Sequence, residues 1–367
     1  SEGFVRCLKL LKAASGRVRV LRFALAAESA SGDWSRVFGR SVGLGGDEEE
    51  GDDKATELEG LVGFPELQVL EAGFYRWDGE AEEAVLSRIL SSAPKLHTLK
   101  LGDRYYGDKN LHTLLHLLPR YPNIVNFSLT GQYLVFLDRD IRFMTHLQSL
   151  RLHNCTSAIL SNTSTSFGDR FALPNLTTLT ISGFDNPTDV SLFFKCVLLP
   201  SLKDLTMTPA LHRPGFRKMA LASRCAITRL TIKDREPVDA YMVQFLASAP
   251  FAGLVELTLI SDEISTEIVM FLDAQTRGFH TSSGVVRTPV FGATLEKLVL
   301  VGCCADDGCL GRLAEGRVRG GVMRYLSVEV GNGMGEHGED VRVFEALRRD
   351  GYDVCLREVN TMAMVGR

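Results

Sequence analysis

Two small groups of residues carry side chains that bind metal ions in other proteins. His112 and His116 have the i, i+4 spacing that places two imidazoles on one helix face, but no glutamate lies between them. Cys303, Cys304 and Cys309 lack both a paired Cys-x-x-Cys spacing and a nearby histidine. A solvated helix face explains the histidine pair, and we predict no metal site.

The short motifs that position catalytic groups are also missing from the sequence. It contains no Gly-x-Ser-x-Gly turn, no His-Glu-x-x-His and no phosphate-binding loop. The glycines between Gly43 and Gly46 are not followed by the Gly-Lys-Ser/Thr that a phosphate cradle needs. We therefore expect no catalytic residue and no cofactor, and predict that the protein is not an enzyme.

One apolar pattern recurs along the chain and organises the prediction of the fold. Residues 176–181 read Leu-Thr-Thr-Leu-Thr-Ile and residues 202–207 read Leu-Lys-Asp-Leu-Thr-Met. Both follow the template apolar, two spacers, apolar, one spacer, apolar. Copies of this template begin at Val18, Leu67, Leu96, Ile124, Leu147, Leu176, Leu202, Ile227, Leu254, Leu295 and Met323. From Leu67 to Leu254 they lie 23 to 29 residues apart, which matches the period of about 20–29 residues in leucine-rich repeats.

The repeat predicts an α/β fold, a leucine-rich-repeat solenoid (horseshoe) with irregular repeats. Parallel strands would form its concave face, and helices and loops its convex face. Helical apolar spacing occurs between the strands at 81–92, 110–119, 190–199, 214–223, 238–249 and 265–276, and again at 341–349. A loop is predicted at 278–289, and glycine-rich loops are predicted at 316–321 and 331–338. The predicted domains are an N-terminal cap (1–57), the repeats (58–339) and a C-terminal cap and tail (340–367).

Composition and charge exclude several classes of protein. The chain is 45% hydrophobic and 23% charged, as is usual for a soluble globular protein, and its net charge of −4 argues against a nucleic-acid partner. No apolar run approaches the length of a membrane span, so no membrane partner is predicted. The eight cysteines are scattered, which favours a reducing compartment and predicts a cytoplasmic or nuclear protein.

An acidic run from Asp47 to Asp53 interrupts the apolar pattern within residues 29–57. Blocks of like charge with glycines are typical of disordered loops. The functional alternative is a docking site for a basic partner.

Two cysteines occupy a position that has a structural explanation. Cys155 and Cys303 are each the ninth residue from the start of a template copy. Leucine-rich repeats place asparagine or cysteine there, where a small side chain can turn under the strand and satisfy the backbone.

The template also predicts which side chains face outward. Successive residues of a strand point to opposite sides of the sheet, so the residues just before and between the last two apolar positions should line the concave face. This row is polar, rich in threonine and mixed in charge. Solenoids hold protein partners on such faces, although threonine also suits any exposed strand. The candidate partner-binding residues are Lys100, Ser128, Arg151, His153, Thr180, Asp204, Thr206, Arg229, Lys233 and Glu256.

Three strings carry a resemblance to a known family. Residues 90–101 (Leu-Ser-Ser-Ala-Pro-Lys-Leu-His-Thr-Leu-Lys-Leu), 172–181 (Ala-Leu-Pro-Asn-Leu-Thr-Thr-Leu-Thr-Ile) and 198–207 (Leu-Leu-Pro-Ser-Leu-Lys-Asp-Leu-Thr-Met) resemble the leucine-rich regions of F-box proteins, especially fungal ones. The resemblance covers roughly residues 60 to 360 and implies that the repeats recognise a substrate for an SCF-type ubiquitin ligase. Residues 1–25 are too few for an F-box, so an SCF adaptor would be a partner only through an F-box outside this chain. The chain begins at Ser1 rather than Met, as expected of a fragment.

The predicted function is therefore protein–protein recognition, with substrate recognition in an SCF-type E3 ubiquitin ligase as the role that the resemblance implies. The alternative is a leucine-rich-repeat regulator of a small GTPase, such as a GTPase-activating protein for Ran, or a structural scaffold. GTPase-activating proteins of that kind usually have more uniform repeats and a strong acidic tail, whereas the acidic run here is internal and short.

Overall fold

A computed structural model describes most of the template copies and the segments that follow them. It describes residues 15–25, 63–74, 89–103, 123–131, 141–155, 170–183, 187–207, 213–233, 240–273, 279–281, 284–286, 293–331 and 333–358. The predicted acidic loop, the predicted helix at 110–119 and most of that at 81–92 lie outside these residues, as do His112 and His116. The chain divides into two compact units, Ser1–Leu176 and Thr177–Arg367.

The first unit contains a parallel sheet whose strands follow one another in chain order. Its strands are β1 (Val20–Leu25), β2 (Val69–Phe74), β3 (Thr98–Asp103), β4 (Asn126–Thr130) and β5 (Ser149–His153), with the short β6 (Phe171–Ala172) outside this sheet. A 3-10 turn, Ser15–Arg17, precedes β1.

The second unit combines a parallel sheet with helices in the connections. The sheet strands, in spatial order, are β7 (Thr178–Ser182), β9 (Asp204–Met207), β10 (Arg229–Lys233), β11 (Glu256–Ile264), β14 (Lys297–Cys303), β15 (Tyr325–Val330) and β16 (Val354–Glu358). The helices are α1 (Pro187–Cys196), α2 (Arg213–Ser223), α3 (Ala240–Leu246), α4 (Thr266–Asp273), α5 (Cys309–Arg319) and α6 (Gly338–Arg349). Short additional elements are β8 (Val197–Leu198), an antiparallel hairpin of β12 (Phe279–Thr281) and β13 (Gly284–Val286), and 3-10 turns at Ala249–Phe251 and Met334–Glu336.

The apolar template fixes where each strand begins. Every strand of the two sheets except β16 starts two residues after the first apolar residue of a template copy. In every copy except the one at Val18, that first residue is buried ahead of the strand, as Leu96 illustrates: it is 2% exposed and its N–H donates to Ala93 O. The second and third apolar residues, Leu99 and Leu101, are buried on the core side of the strand. The predicted strand positions are therefore confirmed.

A recurring backbone arrangement holds each strand start to the previous repeat. The carbonyl oxygen of Gln68 accepts the N–H groups of both His97 and Thr98, and the carbonyl of Thr228 accepts those of Val255 and Glu256. Because two donors share one acceptor at equivalent positions in both units, these backbone bonds help to fix the register of each strand against the one before it.

Buried phenylalanines join three helices and a 3-10 turn of the second unit. Phe194 of α1 meets the edge of Phe216 of α2 with ring centroids 5.3 Å apart. Phe216 in turn lies 5.8 Å from Phe245 and 6.0 Å from Phe251. These buried rings form one apolar cluster that packs α1, α2, α3 and the turn at Ala249–Phe251 together.

Two loop predictions are wrong. Residues 316–319 belong to α5, and residues 279–286 include the β12–β13 hairpin. In α5 the helical propensity lost at glycine is offset by packing, because Gly311 faces Val343 and Asp340 of α6 at a distance where any side chain would be crowded. The predicted helix at 341–349 is confirmed with an earlier start at Gly338, and β16 adds a strand that the template did not reveal.

No helix among the described residues is both long and apolar enough to cross a membrane.

Candidate functional site

All ten candidate residues lie on the face of the sheets that points away from the core. Burial alternates along each strand, as in β5, where Leu150 and Leu152 are buried and Arg151 and His153 are exposed. Lys100, Arg229 and Lys233 are likewise exposed, whereas the shorter side chains are half-buried between their neighbours; these are Ser128, Thr180, Asp204, Thr206 and Glu256. We call these outward faces the polar face of the first unit (β1–β5) and the polar face of the second unit (β7, β9, β10, β11, β14, β15 and β16).

Charged residues cross the polar face of the first unit in one register row. Arg22, Glu71, Lys100, Ser128 and Arg151 occupy equivalent positions on β1 to β5. The Glu71 carboxylate lies between two cations: Arg22 Nε is 2.8 Å from it, and the Lys100 ammonium donates to its other oxygen. The hydrogen bond from Lys100 holds the pKa of the Glu71 carboxyl below its ordinary value.

Arg151 stands at the other end of that row with a different environment. Its register neighbour on β4 is Ser128, and its side chain is exposed. Among the described residues of the first unit, no carboxylate forms an ion pair with it. His153, which is also exposed, lies two residues further along β5 in register with Thr130.

The polar face of the second unit carries a row in which charge alternates from strand to strand. Asp204, Arg229, Glu256, Lys297 and Tyr325 are in register. Arg229 Nη2 lies 3.1 Å from Asp204 Oδ2, and Lys297 Nζ lies 3.8 Å from Glu256 Oε2. The Lys297 ammonium also lies 5.7 Å from the centroid of the Tyr325 ring, within the range of a cation–π contact. Each charge in this row is thus balanced by the neighbouring strand.

Threonines form the next row of the same face. Thr180, Thr206, Thr231 and Thr258 are in register on four neighbouring strands, about 4.8 Å apart as in any sheet. The row continues through Val299, Ser327 and Cys355. Its four threonines carry uncharged hydroxyl groups, each able to donate and accept a hydrogen bond. Beyond it, Arg357 of β16 forms an ion pair with Glu329 of β15.

Several residues of these rows were not among the candidates. Glu71, Lys297 and Tyr325 occupy the same two offsets in the template copies that begin at Leu67, Leu295 and Met323, so applying the offsets to every copy would have found them. Arg357 lies on β16, which has no template copy, and its pairing with Glu329 depends on the register of that strand. The sequence carries no comparable signal for Arg357.

One further cluster has the composition of a metal site. Asp307, His337 and Asp340 each place a possible ligand atom within 4.8 Å of the others. The Asp307 carboxylate accepts the N–H groups of Glu339 and Asp340 at 3.0 and 3.1 Å, and these bonds, that from Glu339 first, lower the pKa of its carboxyl. The Asp340 carboxylate accepts the Gly311 N–H at 2.7 Å and is hydrogen-bonded to His337 Nδ1 at 3.0 Å.

These bonds identify the cluster as a reciprocal helix cap. The residues that precede α5 and α6, Gly308 and His337, provide no side-chain cap for their own helices. Asp307, just before α5, instead accepts from the first turn of α6, and Asp340, in that turn, accepts from the first turn of α5. Helix N–H groups donate to both Asp307 oxygens and to Asp340 Oδ1, and Asp340 Oδ2 is bonded to His337 Nδ1, so helix capping explains why these residues lie together.

The two cysteines at the ninth template position are buried and bonded to backbone carbonyl groups, as predicted. Cys155 Sγ lies 3.5 Å from His153 O and 3.7 Å from Leu129 O. Cys303 Sγ lies 3.7 Å from Ile264 O, and burial raises the pKa of its thiol to about 12. A thiol with that pKa stays protonated at neutral pH, so Cys303 is structural rather than nucleophilic.

The chain matches no protein-family model, and no curated protein matches it. A comparison with solved structures finds a crystal structure of a protein from Bacteroides fragilis, determined by a structural-genomics consortium. It is 12% identical, with a TM-score of 0.34, and the match covers 80% of this chain. The chain spans 66% of the length of that protein, just under two thirds. A likeness at this level carries no information about function.

Proposed function

We propose that the chain is a non-enzymatic leucine-rich-repeat domain that recognises a protein partner on its polar faces. The observation that carries the proposal is the coincidence of template and sheet: each copy places its apolar residues in the core and its intervening residues in register rows on the opposite face. A repeated sequence thereby builds a repeated polar surface, which is the kind of surface that solenoids use for recognition.

The chemistry of the polar faces supports a protein as the partner. The polar face of the second unit combines ion pairs, a threonine row and a tyrosine, so it offers many hydrogen-bonding groups and little net charge for a polyanion. Core thiols such as Cys303 are buried and free, which supports a reducing compartment, the cytoplasm or the nucleus. We further propose, from the resemblance of the repeats, that the partner is a substrate of an SCF-type ubiquitin ligase.

Affinity capture with matched surface variants tests this function. The complete reading frame containing this chain is tagged, expressed in its native cells, and its bound proteins are identified by mass spectrometry. The double variant Thr206→Arg/Thr231→Arg places two large cations in the threonine row of the polar face. The control, Ala222→Arg/Ala252→Arg, adds the same two charges at exposed positions on α2 and in the turn before β11.

We expect the partner to be captured by the native chain and the control and lost from the polar-face variant. Added bulk and charge at the centre of an interface abolish its complementarity. Recovery of an SCF adaptor and a cullin with every version, and loss of the substrate from the polar-face variant alone, would support the ubiquitin-ligase role. Recovery of a small GTPase instead would favour the regulator, and equal capture by both variants would contradict recognition by the polar faces.

A further inference from the structure

The register row across the polar face of the first unit has an excess of positive charge. It contains three cations, Arg22, Lys100 and Arg151, and one carboxylate, Glu71. The neighbouring outward positions of the same strands carry uncharged residues or histidine: valine, alanine and glycine flank the row on β1 and β2, and mainly serine, threonine, asparagine and histidine flank it on β3 to β5. The described part of this face therefore has two positive charges that no carboxylate in the row balances.

The single carboxylate is shared by the two cations at one end of the row. Glu71 is only 25% exposed and contacts both Arg22 and Lys100, whose side chains are 68% and 49% exposed. The guanidinium of Arg22 and the ammonium of Lys100 therefore keep donors directed to solvent. Arg151, opposite Ser128, lies outside the reach of this sharing.

The cations also have a regular spacing. They stand on β1, β3 and β5, so successive cations are two strands, or about 9.6 Å, apart. A chain in the polyproline II conformation has three residues per turn and rises about 3.1 Å per residue, so every third side chain repeats on one face about every 9.3 Å. Acidic residues at every third position would match the row.

We propose that this row binds an acidic, extended segment of the partner protein, with carboxylates at every third residue and Arg151 as the anchoring cation. The inference rests on the proposed function, because it names the chemistry of the partner for the same polar face. The segment crosses the strands of the first unit, and its carboxylates accept from Arg151 and Lys100, with Ser128 beside them. Glu71 competes with the segment for Lys100 and Arg22.

Because of this competition, we expect two charge-removing variants to change binding in opposite directions, which loss of folding cannot produce. Removing the positive charge of Arg151 weakens the binding of an acidic segment, whereas removing the negative charge of Glu71 strengthens it. A variant that merely unfolds the sheet loses binding and cannot gain it.

Fluorescence polarisation with a labelled peptide repeating Glu-Pro-Pro measures these effects on the full chain, with a Lys-Pro-Pro peptide as the charge-reversed probe. We expect Arg151→Gln to weaken binding of the glutamate peptide by about threefold or more and Glu71→Gln to tighten it by a similar factor. The matched control is Lys95→Gln. Lys95 lies in the turn before β3, outside the row, and is an exposed cation that forms an ion pair with Glu66. We expect no change in that variant.

The outcomes separate this inference from the proposed function. Equal affinity of the native chain for both peptides, or equal effects of Arg151→Gln and Lys95→Gln, would overturn the acidic-segment inference. If the partner is nonetheless lost from the threonine-row variant in the capture experiment, the polar face still recognises a protein of different chemistry. If capture is also unaffected by that variant, both proposals fail.

Discussion

At the residue scale, the most deeply buried charged group in the described part of the chain is Asp340. Its side chain is fully buried and accepts from Gly311 N and His337 Nδ1, and His337 is itself 2% exposed. Because both side chains are buried, water cannot reach the two donors to replace the carboxylate in a variant that lacks it. The helix N–H of α5 and the imidazole would then both lose a partner in the protein interior.

We therefore predict that Asp340→Ala lowers the free energy of unfolding by about 3 kcal/mol. Urea unfolding followed by circular dichroism measures the change. The control is Glu345→Ala, an exposed residue of the same helix, which we expect to change stability by less than about 0.5 kcal/mol. Equal losses in the two variants would show that Asp340 does not cap α5.

Residue chemistry was predictable from the sequence only where the template fixes a position. Cys155 and Cys303 were placed correctly because the ninth template position specifies their surroundings. The Asp307–His337–Asp340 cluster was not, because its members lie outside the template and come together only through the packing of α5 against α6. The outward positions of Lys100 and Arg229 were predictable, but not their pairing with Glu71 and Asp204, which depends on strand register.

At the element scale, the end of β14 depends on one glycine. Gly302 has φ +82°, in the left-handed region, and a Cβ added to it would lie 1.7 Å from Ser261 O of β11. The register between these strands shifts at this place, between Ile260 and Ile264 on one side and between Val301 and Cys303 on the other. The bulge of β11 therefore closes over a position that no larger residue can fill.

We expect Gly302→Ala to lower the free energy of unfolding of the second unit by about 1–3 kcal/mol because of the strained backbone conformation alone. The collision of the added Cβ with Ser261 O would increase this loss. Thermal unfolding by calorimetry measures the effect. Gly253→Ala is the matched control, because a Cβ at Gly253 meets nothing within 4 Å and its φ is not positive. A Gly302 variant as stable as the Gly253 variant would argue against this close approach.

Elements that follow the template were predicted well because one physical pattern specifies them. Alternating burial over a short apolar run fixes a strand, and periodic apolar residues fix helices such as α2 and α4. Helix α5 was missed because Gly311 and Gly316 lower its local propensity, and the close approach of α6 at Gly311 is a tertiary contact that no local pattern records. The β12–β13 hairpin was missed because its two strands are only three residues long and belong to no template copy.

At the scale of the whole molecule, the sequence predicted a mixed α/β protein with a parallel-strand sheet, and the two units confirm this. The prediction succeeded because a repeated template needs only its neighbours to form a sheet. The sequence also predicted the outward-facing rows. Whether those rows bind a partner depends on the surface of the partner, about which the sequence of this chain holds no information.

Lysine labelling in the presence of the captured partner tests recognition by the polar faces most directly. Lys100, Lys233 and Lys297 lie on these faces, whereas Lys95, Lys195 and Lys218 are exposed elsewhere on the same units. Acetylation by an activated ester is quantified at each lysine by mass spectrometry, with and without the partner. We predict slower acetylation of the polar-face lysines and unchanged acetylation of the other three. Protection of Lys195 and Lys218 with Lys100, Lys233 and Lys297 left reactive would place the partner on the helices and contradict the proposed function.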